Sequence, residues 1–505
     1  MPQLRLLLVC LILGFVLCNH HKRTNQDLNR STIVHLFEWK WKDIADECER
    51  FLAPKGFGGV QVSPPSENVI IRLSDGTRPW YERYQVMSYK LITRSGNQDE
   101  FLNMTRRCND VGIRIYADVV INHMTSDNRE SVGTGGSTAN YKEYSYPAVP
   151  YTRDHFHHPS CSINNYNDAA QVRACDLVGL KDLNHNLPYV RDKIVEYLNK
   201  LIALGVAGFR VDAAKHMWPH DLKEMYNRLN NLNVDFGFLP NTKPYIYQEV
   251  IYRGNEPIQH TEYTPFGDVT EFRVGYELKP VFEGKNPLKW LKSWGENWNL
   301  SPSDRVVVFI DNHDTQRSNE VLTYKNAKSY KAAIAFTLAH PYGEPRVMSG
   351  YFFDRTDQGP PSDGNEEILS PIINDDDTCG NGWVCEHRWR QIYQMVAFRN
   401  AVRDTRVENW WDNGLNQIAF SRGNKGFIAI NAEGRDLDVI LQTGLPSGTY
   451  CDVISGKIQG QECSGRKITV GSDGRAHIYV SKDGEDMHLA THVGPESLLQ
   501  IKQKI

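Results

Sequence analysis

Eight short runs of β-branched and other apolar residues recur along this chain, each followed by a longer segment. The runs are Val34–Phe37, Gly59–Val62, Ile113–Ile121, Gly208–Val211, Tyr245–Val250, Val269–Val274, Val306–Ile310 and Arg346–Met348. One intervening segment is plainly helical. Val190, Ile194, Val195, Leu198, Leu201 and Ile202 repeat at the helical period and stop before Gly205. Strands that alternate with helices pair in parallel, and eight such units close into a ring. The expected fold is α/β, a (β/α)8 TIM barrel.

Two regions break the alternation. Residues 124–183 are rich in Gly, Tyr, Asn and Pro and read as an irregular domain inserted after the third strand. From Val407 the pattern changes to short strands and turns, as in "GFIAINAEGRDLDVIL" and "AHIYVSKDG". That stretch, 407–505, reads as a C-terminal all-β sandwich domain. The barrel then takes 19–123 and 184–406.

The first residues are of another kind. Arg5 precedes an apolar run from Leu6 to Leu17, followed by Cys18 and polar residues. The run is short for a membrane span and fits a secretory signal peptide, residues 1–18. No later segment reads as a transmembrane helix, so we expect a secreted, extracellular protein without a membrane anchor. The net charge of −4, from 57 basic and 61 acidic residues, shows no basic stripe for nucleic acid. Nothing indicates an obligate oligomer, and a monomer is expected.

Of ten cysteines, Cys10 and Cys18 fall in the leader. The other eight are an even number in a secreted chain, which implies disulfides. Proximity pairs Cys379 with Cys385, Cys451 with Cys463 and Cys161 with Cys175, which leaves Cys48 with Cys108. Zinc is the competing reading, but the chain has no CxxC pair. Asn29, Asn103 and Asn299 each begin a glycosylation sequon.

In a barrel of this kind the active site is built where the strands end. The third run closes as "DVVINH", giving Asp118, Asn122 and His123. The fourth, "GFRVDAAKH", gives Arg210, Asp212, Lys215 and His216. The fifth, "YIYQEV", gives Glu249. The seventh, "VVVFIDNHD", gives Asp311, Asn312, His313 and Asp314. One acidic residue after a strand is ordinarily a helix cap or a salt bridge. Asp212, Glu249 and Asp314 follow three different strands at spacings of one and two strand–helix units, so all three can converge.

These four stretches, in this order, resemble the signature of the α-amylase family of glycoside hydrolases. "VHLFEWKW", "HPYG" and "CGNGWVCEHRWRQI" are similar to its animal, chloride-dependent members. The resemblance implies a secreted endo-acting enzyme that hydrolyses internal α-1,4-glucosidic bonds of starch, glycogen and maltooligosaccharides with retention. It implies Asp212 as nucleophile, Glu249 as acid and base, and Asp314 as the residue that stabilises the transition state. Retention requires two carboxyl groups about 5–5.5 Å apart. Arg210, on the same strand face as Asp212, should favour its ionised form, and the acid needs a raised pKa.

For the substrate the resemblance implies His123 and His313 as donors to sugar hydroxyls, and Trp80, Tyr81, Tyr84, Gln85 and Tyr166 along the cleft. Arg210, Lys215, His216 and Ile251 are implied with them, Lys215 and Ile251 on the leaving-group side. It also implies two ions. Calcium would be held by Asn122 and Asp182 with the carbonyls of Arg173 and His216. Chloride would be held by Arg210, Asn312 and Arg346. The chain departs from the family in three places. Tyr81 stands where a second tryptophan is usual. The glycine-rich mobile loop after "DNHDTQR" is missing, and so is one further disulfide. A rival of another class is a glucan-binding protein without catalysis, which is expected to lose the carboxylates this chain keeps. Of the weaker clusters, His155, His157 and His158 read as a solvated loop, and "GTGG" at 133–136 lacks a phosphate-binding context.

Overall fold

The structure is a computed structural model that describes residues 24–126 and 132–499. The expected signal peptide lies outside the described residues. Among those residues no helix is long and apolar enough to cross a membrane.

The eight runs form one closed parallel barrel. Its strands are β1 (Ser31–Leu36), β2 (Phe57–Val62), β3 (Arg114–Val119), β4 (Gly208–Val211), β5 (Tyr245–Gln248), β6 (Asp268–Glu271), β7 (Val306–Val308) and β8 (Glu344–Ser349), neighbours in sequence order with β8 back against β1. All are buried on both faces except at Glu344, which is why they read as continuous apolar runs and not as alternation. Four strands are shorter than the sequence suggests, the fifth ending at Gln248. The third ends at Val119, and the seventh at Val308. The sixth ends at Glu271, because Val274 lies in the following helix Arg273–Phe282.

Local signals set the helices. Asn97 caps Gln98–Asp110 in a capping box with Glu100. Pro188 opens Pro188–Ala203, whose buried stripe is the periodic one, and Gly205 beyond it takes φ +91°. All four disulfides form as paired above: Cys48–Cys108, Cys161–Cys175, Cys379–Cys385 and Cys451–Cys463. The first closes 60 residues and ties Gln98–Asp110 to the first barrel helix, Trp41–Glu47. A loop of that length is worth about 4 kcal/mol in the chain-entropy account.

The irregular segment leaves the barrel after β3 and returns before β4. It is clasped at its root, where His123–Met124 pairs antiparallel with Lys181–Asp182. At the other end, Val407–Asp412, Gln417–Arg422, Gly426–Asn431 and His488–His492 form a four-stranded antiparallel sheet. Its Phe427 and Ala429 share a separate apolar core with Leu437, Leu441, Ala476 and Ile478 of the antiparallel pair Leu437–Gln442 and Arg475–Val480. The three sequon asparagines are exposed.

Candidate active site

The C-terminal ends of the strands open into a cleft of about 730 Å³. Asp212 and Glu249 are on its floor, just past β4 and β5, and Asp314 is on the turn after β7. The three carboxylates that lie far apart in sequence therefore share one cavity.

Arg210 lies beneath this floor and not in the cleft lining; it is 1 % exposed. Its Nη1 donates to Asp118 Oδ1 at 2.8 Å and to Asp212 Oδ1 at 2.6 Å, and its Nη2 to Glu249 Oε1 at 2.5 Å. One guanidinium thus binds three carboxylates. Despite burial, those carboxylates hold the Arg210 pKa well above its ordinary value. Burial pushes the Asp212 carboxyl well above the carboxylate range, against the opposing pull of Arg210. This qualifies the sequence-based expectation: Arg210 does favour the anion, but desolvation and the neighbouring acids outweigh it. Asp118 is raised for the same first reason.

Glu249 is anchored at both oxygens. Ala213 donates its backbone N–H to Oε2 at 2.8 Å. Ala213 can do so because it turns left-handed, φ +48°, directly after Asp212. An alanine in that region costs of order 1–3 kcal/mol, a strain that clusters at functional sites. The Asp314 side chain lines the cleft and is 42 % exposed, so solvent moderates its shift. Desolvation there, with the Glu249 charge, pushes its carboxyl up to about 7.

The aromatic wall is continuous. Trp80, Tyr81 and Tyr84 sit on one helical turn, and Tyr84 stacks on His313 with centroids 4.9 Å apart. Burial holds the His313 pKa well below its ordinary value, so the ring is neutral. Its Nε2 lies 3.4 Å from Asp314 Oδ2. His123 Nε2 donates to the Tyr84 carbonyl at 2.9 Å, so a sugar hydroxyl that takes this proton competes with that carbonyl. Gln85, Tyr166, Lys215, His216 and Ile251 also line the cleft, and Lys215 Nζ donates to the Ile251 carbonyl at 2.7 Å.

The structure adds lining residues that sequence reasoning missed. Leu177, Val178 and Leu180 bring an apolar rim from the inserted segment, with Val178 87 % exposed. Arg253 and Glu256 also line the cleft, with Glu256 3.8 Å from Lys215 Nζ. The signals were present as apolar residues in the otherwise polar "DLVGLKD" and as charges closely following Glu249 in "EVIYRGNEP".

Two further groups of residues bear on ions. Asn122 Oδ1 is buried without a hydrogen-bond partner, and Asp182 is buried next to it. Asp182 Oδ2 accepts from His157 Nδ1 at 2.6 Å, so His157 belongs to this cluster and not to a solvated loop. No group of three or more His, Cys, Asp or Glu side chains that could hold a metal occurs among the described residues. A site here would therefore draw on one carboxylate, one amide oxygen and backbone carbonyls, a donor set that suits calcium. Beneath the floor, Arg210 Nε and Arg346 Nη2 are both buried with no acceptor, and each guanidinium is within the electrostatic reach of the other. Burial and the Arg210 charge lower the Arg346 pKa. Asn312 Oδ1 accepts from the Asp314 and Thr315 backbone N–H groups and the Thr315 hydroxyl, so Nδ2 is its available donor end. Buried donors with no acceptor, carried by two like charges, fit a small anion.

Residues 77–261 match the family model of the alpha amylase catalytic domain, and residues 409–494 that of the alpha amylase C-terminal all-beta domain. The chain is 59 % identical to an alpha-amylase of Tribolium castaneum over 467 residues, covering 92 % of this chain and 94 % of the relative. It is 57 % identical to an alpha-amylase of Tenebrio molitor, covering 94 % and 99 %. The crystal structure of alpha-amylase I from Eisenia fetida superposes with a TM-score of 0.87 at 42 % identity, covering 93 % of this chain and 98 % of that one. A mutant of the same enzyme has been solved in complex with maltohexaose.

Proposed function

The chain belongs to the α-amylase family of glycoside hydrolases, and from that premise we propose that it acts outside the cell as a monomer. It hydrolyses internal α-1,4-glucosidic bonds of starch, glycogen and maltooligosaccharides with retention of configuration. The observation that supports this most is the sharing of one buried guanidinium by Asp118, Asp212 and Glu249 at the floor of an aromatic-walled cleft.

The electrostatics follow from that arrangement. Three carboxylates around Arg210 carry more negative charge than one cation offsets, and burial makes each further charge expensive. Burial accordingly pushes the Asp118 and Asp212 carboxyls up, against the pull of Arg210. In the family's mechanism Glu249 gives a proton to the glycosidic oxygen while Asp212 attacks the anomeric carbon in its anionic form, the form Arg210 favours against burial. A covalent glycosyl–enzyme forms, and Glu249 then deprotonates the water that hydrolyses it. In the present arrangement both Glu249 oxygens accept hydrogen bonds, from Arg210 and Ala213, which fix the orientation of the acid. Asp314 and His313 meet sugar hydroxyls as the ring distorts, and Trp80, Tyr81 and Tyr84 offer flat apolar faces to successive glucose units.

Chloride would be held by Arg210, Asn312 and Arg346, where it would supply a negative charge that competes with Glu249 for Arg210. Calcium would be held by Asn122, Asp182 and the carbonyls of Arg173 and His216, and would fasten the inserted segment to the barrel. The Asn122 oxygen without a partner supports that set.

The test is hydrolysis of starch by the purified protein, dialysed free of chloride at fixed calcium, with and without added chloride. The enzyme reading requires internal cleavage with α-configured products, and the anion site requires activation by chloride. Hydrolysis indifferent to chloride removes the anion site but keeps the enzyme. No hydrolysis from folded, calcium-loaded protein overturns the reading in favour of a non-catalytic glucan-binding protein.

A further inference from the structure

Gln61 on β2 has its side chain in the barrel interior, fully buried beneath the catalytic floor. Its Oε1 accepts from Arg346 Nη1 at 2.7 Å and from the Tyr247 hydroxyl at 3.0 Å. An arginine can only donate, so the amide atom facing it must be the oxygen, and the orientation of this amide is fixed by its neighbours. The consequence falls on the other end. Gln61 Nε2 is buried with no acceptor, as are Arg346 Nη2 and Arg210 Nε. A protein interior rarely leaves three donors unsatisfied on residues so closely linked. Arg346 also stacks over Phe309, 4.2 Å from guanidinium to ring centroid. Phe309 on one side and Gln61 on the other leave the guanidinium little freedom to turn.

We propose that Gln61 is a positioning residue for the anion site: it holds Arg346 by Nη1 so that Nη2 faces the anion, and it turns its own Nε2 toward the same charge. This rests on the chloride reading above and extends it to a residue on the opposite side of the barrel sequence. Tyr247 donates its hydroxyl to the same oxygen. His35, paired with Gln61 in register and close to both arginines, is held neutral by burial and by those two charges. It adds no competing cation.

The experiment is chloride binding to the full-length protein, followed by line broadening in chloride NMR, for wild type, R346M, Q61L and Q61E. Thermal melts in chloride-free buffer check folding. Wild type binds and R346M does not. Q61L weakens chloride on the order of tenfold through the loss of one hydrogen bond to a charged group and of the hold on Arg346. Q61E weakens it further, because a carboxylate against Arg346 supplies the negative charge internally. At saturating chloride, KM for starch in Q61L returns to the wild-type value, which a general packing defect would not allow. If Q61L does not fold, Q61E has nearly the same volume and decides the matter. Wild-type chloride affinity in folded Q61E or Q61L overturns the role of Gln61. Equal binding by wild type and R346M, or none by either, overturns the anion site itself and with it this inference.

Discussion

The backbone N–H of Ala213 donates to Glu249 Oε2 at 2.8 Å, and it does so from a left-handed turn one residue past Asp212. The strained residue therefore couples the position of the nucleophile to that of the acid. Ala213→Gly keeps the N–H and relieves the strain, and should leave kcat within about twofold while raising stability by about 0.5–1 kcal/mol. Ala213→Val places a β-branched side chain at positive φ and should lower both. Urea unfolding and initial rates on starch distinguish the two, and equal behaviour of both variants would remove the role assigned to this turn.

Glu249→Gln cannot donate a proton, and kcat should fall by about 10²–10⁴. Asp212→Asn removes the nucleophile and should abolish the covalent intermediate. An activated glycosyl fluoride tells them apart. Its leaving group needs no proton, so Glu249→Gln should form the intermediate, visible by mass spectrometry, and Asp212→Asn should not.

Asp314 is held protonated up to about pH 7 by desolvation and the Glu249 charge. Its folded pKa is raised above the unfolded value, so ionisation is disfavoured in the fold. Relative to low pH, stability is lost as pH rises from the unfolded pKa near 4 through 7. Asp314→Asn cannot ionise and should escape that loss. Its Tm relative to wild type should rise between pH 4 and pH 8, by less than a fully buried carboxyl would give because the side chain is 42 % exposed and solvent screens its charge, and a difference flat with pH would contradict the shift.

Chelation should act on the root of the inserted segment, where Asn122, His123, His157 and Asp182 meet. Calcium removal should lower Tm and expose residues 124–183 to protease before the barrel. Asn122→Ala should weaken calcium by about 10-fold or more. Proteolysis that starts in the C-terminal sheet would place the bound ion elsewhere.

The barrel and its three carboxylates were legible in the sequence for a simple reason. Strand–helix alternation has a characteristic length, and parallel strands all end at one face, so Asp212, Glu249 and Asp314 had to converge whatever the details. Disulfide partners close in sequence were legible too, because short separations leave few choices. Strand ends were less so: apolar residues such as Val274 serve a helix as well as a strand. The apolar residues of "DLVGLKD" stood out in a polar loop, but nothing local said that Leu177, Val178 and Leu180 would reach the cleft.

Other features depended on the tertiary structure alone. Arg210 reaches Asp118 and Glu249 only because β3, β4 and β5 are neighbours with fixed register. Gln61 meets Arg346 across 285 residues of chain, and no local pattern announces such a contact. Ala213 takes a left-handed turn that its residue type opposes, because the backbone must leave β4 toward Glu249. The sequence determined which groups arrive at the cleft, since periodicity and strand direction are local properties. Which proton each group holds, and which donor each oxygen meets, was decided by burial and by the distances between side chains brought together from far apart in the chain.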